Sequence, residues 1–494
     1  MKRLSLLALA SVFVASTARA EQPTLRFEQD NGSAIQAAIL SAVTGETVTK
    51  FSVDADGNQL RNSAVVAPML RLGLKADTGR RYDKLTLTAE YEHDVVTGAF
   101  NDDASISGTG LPSSRGVHNE LRKAYARVAY NKQLFAGAGL MTSHWGLGLV
   151  ANDGTRRWTP GSARFVDPRS GDRVLRGFAG IGLSRSLGMA VTLGADSVVG
   201  DDILLDGDDA TQVVGALRLG VGKRHGGGVY VVRRSQNAAN GSSFDVWAID
   251  ATARTSLRVG NGRLDLAGEV VSIIGDTTLA PTMEYPVHDI RQFAAAARAS
   301  YSMDTWGTVV DALFATGDAN FDNDTQTAFK VDPRYEMGLL MYRQVLAGHT
   351  GRGVATASNL DLVGMPSPDI ERFATRGSAS NTIAVFPRAW WRPASQLEFY
   401  GGPLIALAAT DVADPFNSRI NGGTPRNALD GNPGRYLGTE FDLGARWQRD
   451  MNGGRRLSVG VEGGVLVPGN ALRDATGKSM GTVFGARLML NYSM

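Results

Sequence analysis

Apolar and polar residues alternate with a period of two along most of this chain. In Leu85-Thr86-Leu87-Thr88-Ala89-Glu90-Tyr91-Glu92 the alternation runs without a slip, and Leu70, Leu72 and Leu74 alternate with Arg71, Gly73 and Lys75. The stretches 121–130, 213–223, 263–271, 292–301, 436–448 and 457–465 repeat the theme. Successive side chains of an extended strand point to opposite faces, so each stretch predicts a strand with one apolar and one polar side. Each also approaches the ~10 residues that a tilted membrane-crossing strand requires.

The connections carry a second pattern. Short turns are predicted at 78–82, Asn131, Leu187, His225, Asn261-Gly262, Asp304, Pro393-Ala394 and 450–453. Between them lie long polar stretches at 97–118, 146–172, 200–209, 276–287, 317–380, 411–435 and 468–478. Short and long connections in alternation predict an all-β, transmembrane antiparallel β-barrel with short periplasmic turns and long extracellular loops. Counting strands with both termini on the periplasmic side gives about 18, with 16 as the alternative, because bacterial barrels have even numbers. That count places a first strand at 47–54 and assigns the apolar run 335–345 to the longest loop, as a helix.

Composition narrows the classes. The 494 residues include 59 Gly and no Cys, are 43% hydrophobic, and have a mean hydropathy of -0.12. A bundle of membrane helices would be far more apolar, since each span needs roughly 20 consecutive apolar residues. A barrel need not be, because half of every strand faces a polar lumen. Without Cys there are no disulfides, thiolate metal sites or lipid-anchored cysteine. With 51 basic against 49 acidic residues and a net charge of +2, nothing points to nucleic acid. Lys2-Arg3, an apolar run over 4–14 and Ala18-Arg19-Ala20 read as a cleaved secretory signal. The expected division is a signal peptide at 1–20, a periplasmic extension at 21–46 with a short helical stretch at 33–43, and the barrel at 47–494.

The final stretch 481–494 puts Phe484, Ala486, Leu488, Leu490, Tyr492 and Met494 on one face, and Gly485, Arg487, Met489 and Asn491 on the other. It resembles the closing strand of Gram-negative outer-membrane β-barrels, which implies outer-membrane localisation, contact with lipid and recognition by the barrel-insertion machinery. The stretch 139–154, with His144-Trp145-Gly146 followed by Asn152-Asp153-Gly154, resembles a loop-opening element in an uncharacterised family of porin-like outer-membrane barrels. Leu437-Gly438-Thr439-Glu440-Phe441-Asp442 and Val467-Pro468-Gly469 are similar to the late strands of alginate-export-type porins.

Register then assigns directions. Leu85, Leu87, Leu264, Leu266, Phe441, Leu443, Val459 and Val461 face lipid. The lumen receives Arg71, Lys75, Lys123, Arg127, Arg218, Arg298, Arg388, Arg446 and Arg487, with Glu90, Glu92, Asp265, Glu269, Glu398, Glu440, Asp442 and Glu462. A charge facing lipid near the midplane costs ~2–4 kcal/mol, which places these groups inside. Most such charges pair across the wall; those left over bias which solutes pass.

The function read from these residues is passive diffusion of small hydrophilic solutes through a lumen narrowed by an inward-folded loop, with 317–380 the first candidate and 146–172 the second. A plugged barrel that binds partners at the surface is the competing reading. A rim enzyme is a third; the six His include a His93/His118 rim pair, but no GxSxG or HExxH occurs. No cofactor is expected. Asp318, Asn320, Asp322 and Asp324 space oxygen ligands at every second position and form a candidate Ca²⁺ loop.

Overall fold

The computed structural model describes residues 25–29, 33–60, 64–78, 84–97, 117–131, 133–155, 158–166, 171–184, 186–363 and 368–494. The predicted signal peptide lies outside them. Among the described residues, 18 antiparallel strands form one closed sheet. They are β1 Ala34–Val48, β2 Ala64–Asp77, β3 Leu85–Thr97, β4 Val117–Tyr130, β5 Leu134–Thr142, β6 Arg173–Ser184, β7 Met189–Gly200, β8 Asp209–Leu219 and β9 Gly226–Asn237. They continue with β10 Ser243–Val259, β11 Gly262–Thr277, β12 His288–Ser302, β13 Trp306–Ala315, β14 Thr382–Ala394, β15 Leu397–Leu407, β16 Tyr436–Met451, β17 Arg455–Pro468 and β18 Val483–Ser493.

Each strand pairs with its sequence neighbours. β18 closes the ring on β1, in register from Leu40 opposite Ser493 to Val48 opposite Gly485. Two further backbone bonds between Ile39 and Met494 finish the seam. Closure leaves no unpaired edge, which is what allows strands to cross a bilayer. A short arm, Leu25–Glu28, folds back on Ala34–Ala37 where β1 outruns β18.

Outward positions are apolar: Leu85 is 49% exposed, Phe441 53%, Leu443 70% and Val461 55%. The alternate positions are buried and mix charged with apolar side chains, so the polar face of the sequence repeats lines the interior. No helix among the described residues is long and apolar enough to cross a membrane.

Two expectations are corrected. The barrel begins at Ala34, not at 47, so the segment read as a periplasmic extension with a helical stretch is instead the first strand. Its four alanines look helix-compatible, and its inner face carries Leu40 and Ala42, packed on Met69 and Val96 rather than on charges. The predicted strand at 47–54 falls across the end of β1 and the loop after it; the total of 18 survives because one early strand replaces another. The connection 238–242, at the long-loop end, is a tight hairpin.

Candidate permeation pathway

The inward faces bring charges of opposite sign onto adjacent strands. Arg71 on β2 makes a bidentate pair with Asp94 on β3, both bonds 2.6 Å. Lys75 reaches Glu90 at 2.8 Å, and Lys123 reaches Glu92 at 3.5 Å. Opposite Glu92 and His93 the register slips, so Glu92 faces Lys123 while His93 faces Leu121. The extra residue, Arg122, therefore points inward next to Lys123 and donates to Glu92 at 2.8 Å. On the far side, Asp311 on β13 accepts from Arg298 on β12 at 2.6 Å and from Arg388 on β14. Around the seam, Tyr400, Arg446, Glu462, Arg487 and Glu46 link β15, β16, β17, β18 and β1 in one continuous ribbon.

All the predicted lumen residues fall on the inward face, but most are committed to wall partners. Two differ. Arg127 lies over the Phe135 ring at 5.0 Å. Arg218 lies over the Trp145 ring at 4.8 Å, with Arg254 rather than a carboxylate as its charged neighbour. Sequence reading missed Asp94, Arg122, Arg176, Asp196 and Asp311. Simple parity along β3, β6, β7 and β13 points to four of them; Arg122 is hidden by the bulge.

Two long loops enter the barrel. The first, residues 143–172, leaves β5 through the His144-Trp145-Gly146 element. Trp145 stacks on Tyr230 at 5.2 Å, and Leu147, Leu149 and Phe165 are buried. His144 Nδ1 lies 3.5 Å from Asp153 Oδ1. Burial disfavours the Asp153 charge, but His144 and the Thr155 hydrogen bonds outweigh it and hold this carboxyl below its usual range. Asn152 turns the chain, accepting from Gly154 N at 3.2 Å while its own N–H donates to Asp172 at 2.8 Å. The loop-base residues predicted from sequence thus lie together where the first loop leaves the wall.

The second loop, residues 316–381, carries one wide turn, Met341–Leu346, running into α1, Ala347–Ala357. The expected helical reading of 335–345 holds for its end. Tyr335, Met337, Leu340, Met341, Tyr342 and Val345 pack with Leu147, Leu149 and Phe165 in one core. The wall residues of that core come from β11–β18 and the end of β1, among them Val271, Val309, Phe386, Leu404 and Leu466. The wall at β2–β4 takes no part in it and keeps its charged side chains, with Lys75 42% exposed.

In the candidate Ca²⁺ loop the oxygen side chains accept hydrogen bonds from nearby backbone amides and from Arg419. Asp318 accepts from Asn320 N at 2.9 Å and Thr327 N at 3.1 Å, Asn320 from Asp322 N at 3.0 Å, and Asp322 from Arg419 at 3.1 Å. These side chains support their own turns, and Asp318, Asp322 and Asp324 do not converge. Asp172, Asp202 and Asp332 do, within 4.8 Å. Burial, then the neighbouring acids, pushes Asp172 and Asp332 well above the usual carboxylate range. His93 and Asp94 point to opposite sides of β3: Asp94 is paired inside with Arg71, and His93 stacks outside on Tyr91. The side chain of His118 lies outside the described residues.

A closed 18-stranded barrel, apolar outside, charged inside and entered by its own loops, is a porin-type barrel. No family model and no curated protein matches the sequence. Solved structures do match the fold. Pseudomonas aeruginosa OccK9 (OpdG) superposes with a TM-score of 0.53 at 11% identity, over 93% of this chain and 98% of that one. Pseudomonas aeruginosa OccK2 (OpdF), solved in complex with glucuronate, gives 0.52 at 9%, over 95% and 99%. Acinetobacter baumannii OccAB1 gives 0.50 at 10%, over 96% and 99%. These are outer-membrane porins. The chain shares their fold; the matches do not show the alginate-export likeness.

Proposed function

We propose that this protein is an outer-membrane channel for passive diffusion of small hydrophilic solutes, with anions favoured. The observation that carries this reading is the lopsided filling of the barrel. Both inward loops build their apolar cores on the β8–β18 side. In contrast, β2–β4 carry a cluster of charges with Lys75 exposed, touched by the first loop where Arg122 donates to the Asp153 carbonyl, and solute is taken to run along that charged side. The acids on that wall are matched by Lys75, Lys123, Arg71 and Arg122. Arg218, further round, has a cation beside it. A solute carboxylate meets an excess of positive potential there. The glucuronate in OccK2 is an anionic solute of this size in a barrel of the same fold. Diffusion calls for no cofactor and no catalytic group. The outward apolar band contacts lipid, and the C-terminal strand is the segment for the insertion machinery to read.

The ordered core inside the lumen also suits a plugged barrel that binds at the surface. Proteoliposome swelling separates the two. The channel reading expects swelling in small sugars and sugar acids that exceeds protein-free liposomes and falls with solute size. Swelling equal to that of empty liposomes counts against it.

A further inference from the structure

The two inward loops are tied to the wall by the same local construction. On β11, buried Glu269 accepts three successive backbone amides of the first loop. Leu147 N and Gly148 N donate to Oε2, the latter at 3.1 Å, and Leu149 N donates to Oε1 at 3.0 Å. On β16, buried Glu440 accepts three successive amides of the second loop: Leu339 N at 2.5 Å and Leu340 N at 2.7 Å on Oε1, and Met341 N at 2.7 Å on Oε2. The Glu440 amides open the turn that leads into α1, where N–H groups have no partner within the helix and the dipole favours a negative charge.

Each triplet follows a glycine in the left-handed region, Gly146 at φ +54° and Gly338 at φ +79°. A Cβ on Gly146 would run into the Glu269 carboxylate, and one on Gly338 would come within 2.9 Å of Glu440 Oε1. The glycine turns the chain so that three N–H groups face one carboxylate, and its missing side chain lets the backbone approach. Gly-Leu-Gly-Leu at 146–149 and Gly-Leu-Leu-Met at 338–341 are two versions of one device.

We infer that Glu269 and Glu440 are loop latches: positioning residues that hold the two constricting loops against the β11–β18 wall and so set the aperture along β2–β4. This rests on the channel reading above. Both carboxylate oxygens are used in each latch, and an amide offers only one acceptor, so replacing Glu by its isostere turns an N–H against a backbone N–H. A loop released from the wall is free to enter the passage.

Single-channel recording of the full chain with Glu269→Gln and, separately, Glu440→Gln tests this. The expected result is an open level broken by closures about tenfold more frequent than in wild type, the scale of losing a charged hydrogen bond. Barrel folding, read from heat-modifiable migration, should stay intact. Asp450→Asn removes an exposed carboxylate paired with Arg456 at the β16–β17 turn, away from the pathway, and should leave closure frequency unchanged. Wild-type hydrogen exchange gives a readout independent of any variant: the amides at 147–149 and 339–341 should be protected like strand amides. If wild type conducts and both latch variants record like it, or if those amides exchange at open-loop rates, the inference is overturned. Absence of conductance in wild type would instead overturn the channel reading.

Discussion

The residues that distinguish this lumen are the few whose charge is not spent on a neighbour. Pairs such as Arg176 with Asp196, at 2.5 and 2.6 Å, are fully buried and serve the wall. Arg218 sits over Trp145, beside another arginine. Replacing Arg218 with Gln should lower the anion-to-cation permeability ratio roughly twofold, because one unscreened charge in a narrow polar passage shifts local ion concentration by about that much. Reversal potentials under a salt gradient measure it, and an unchanged ratio would remove Arg218 from the pathway. Arg218 was legible from the parity of β8 alone. Its isolation was not, because whether a lumen charge is matched depends on strands far apart in sequence. Arg122 was illegible for a local reason: the bulge on β4 turns two consecutive residues inward, which strict alternation forbids.

At the scale of elements, strands with charged inner faces declared themselves, and loop lengths ordered them. β1 did not, because over most of its length the inner face carries Ala34, Ala38, Leu40 and Ala42, with a charge only at Glu46 near its end, and its outer face is apolar too. α1 was expected inside the longest loop, but its cover was not. The first loop after β1 buries Phe51 and Val53 against Gly348 and His349, and Asp54 pairs with Arg352 at 2.6 Å. His349 lies 3.1 Å from the Ser52 carbonyl through Nε2. Burial lowers its pKa to about 4, with the Ser52 carbonyl and Asp54 pulling weakly the other way.

The sign of the linkage follows. Between the unfolded value near 6.5 and the folded value, the released helix binds a proton that the packed one does not. Packing of α1 is therefore at full strength above pH 6.5 and weakens as pH falls toward 4, by about 3 kcal/mol over the interval. Hydrogen exchange over 347–357, corrected for the intrinsic rate, should show protection falling between pH 6.5 and 4.5 in wild type. In His349→Gln that fall should be lost, leaving only the response of Asp414, whose pKa burial raises to about 6 beside Gly353 of α1. Equal slopes would assign the acid response to other groups.

For the whole molecule, the other predictions follow from the proposed passage along β2–β4, beside the core that the loops build inside. The sequence shows that a barrel forms and which face is wet. It does not show how a loop divides the interior, because that depends on contacts such as Glu269 to 147–149, about 120 residues apart. The most direct measurement is single-channel conductance of the refolded full chain in a planar bilayer with a salt gradient. Discrete open steps are expected, with a reversal potential of the sign that anion preference produces. A correctly inserted barrel that passes no current would contradict it and make the loops a plug.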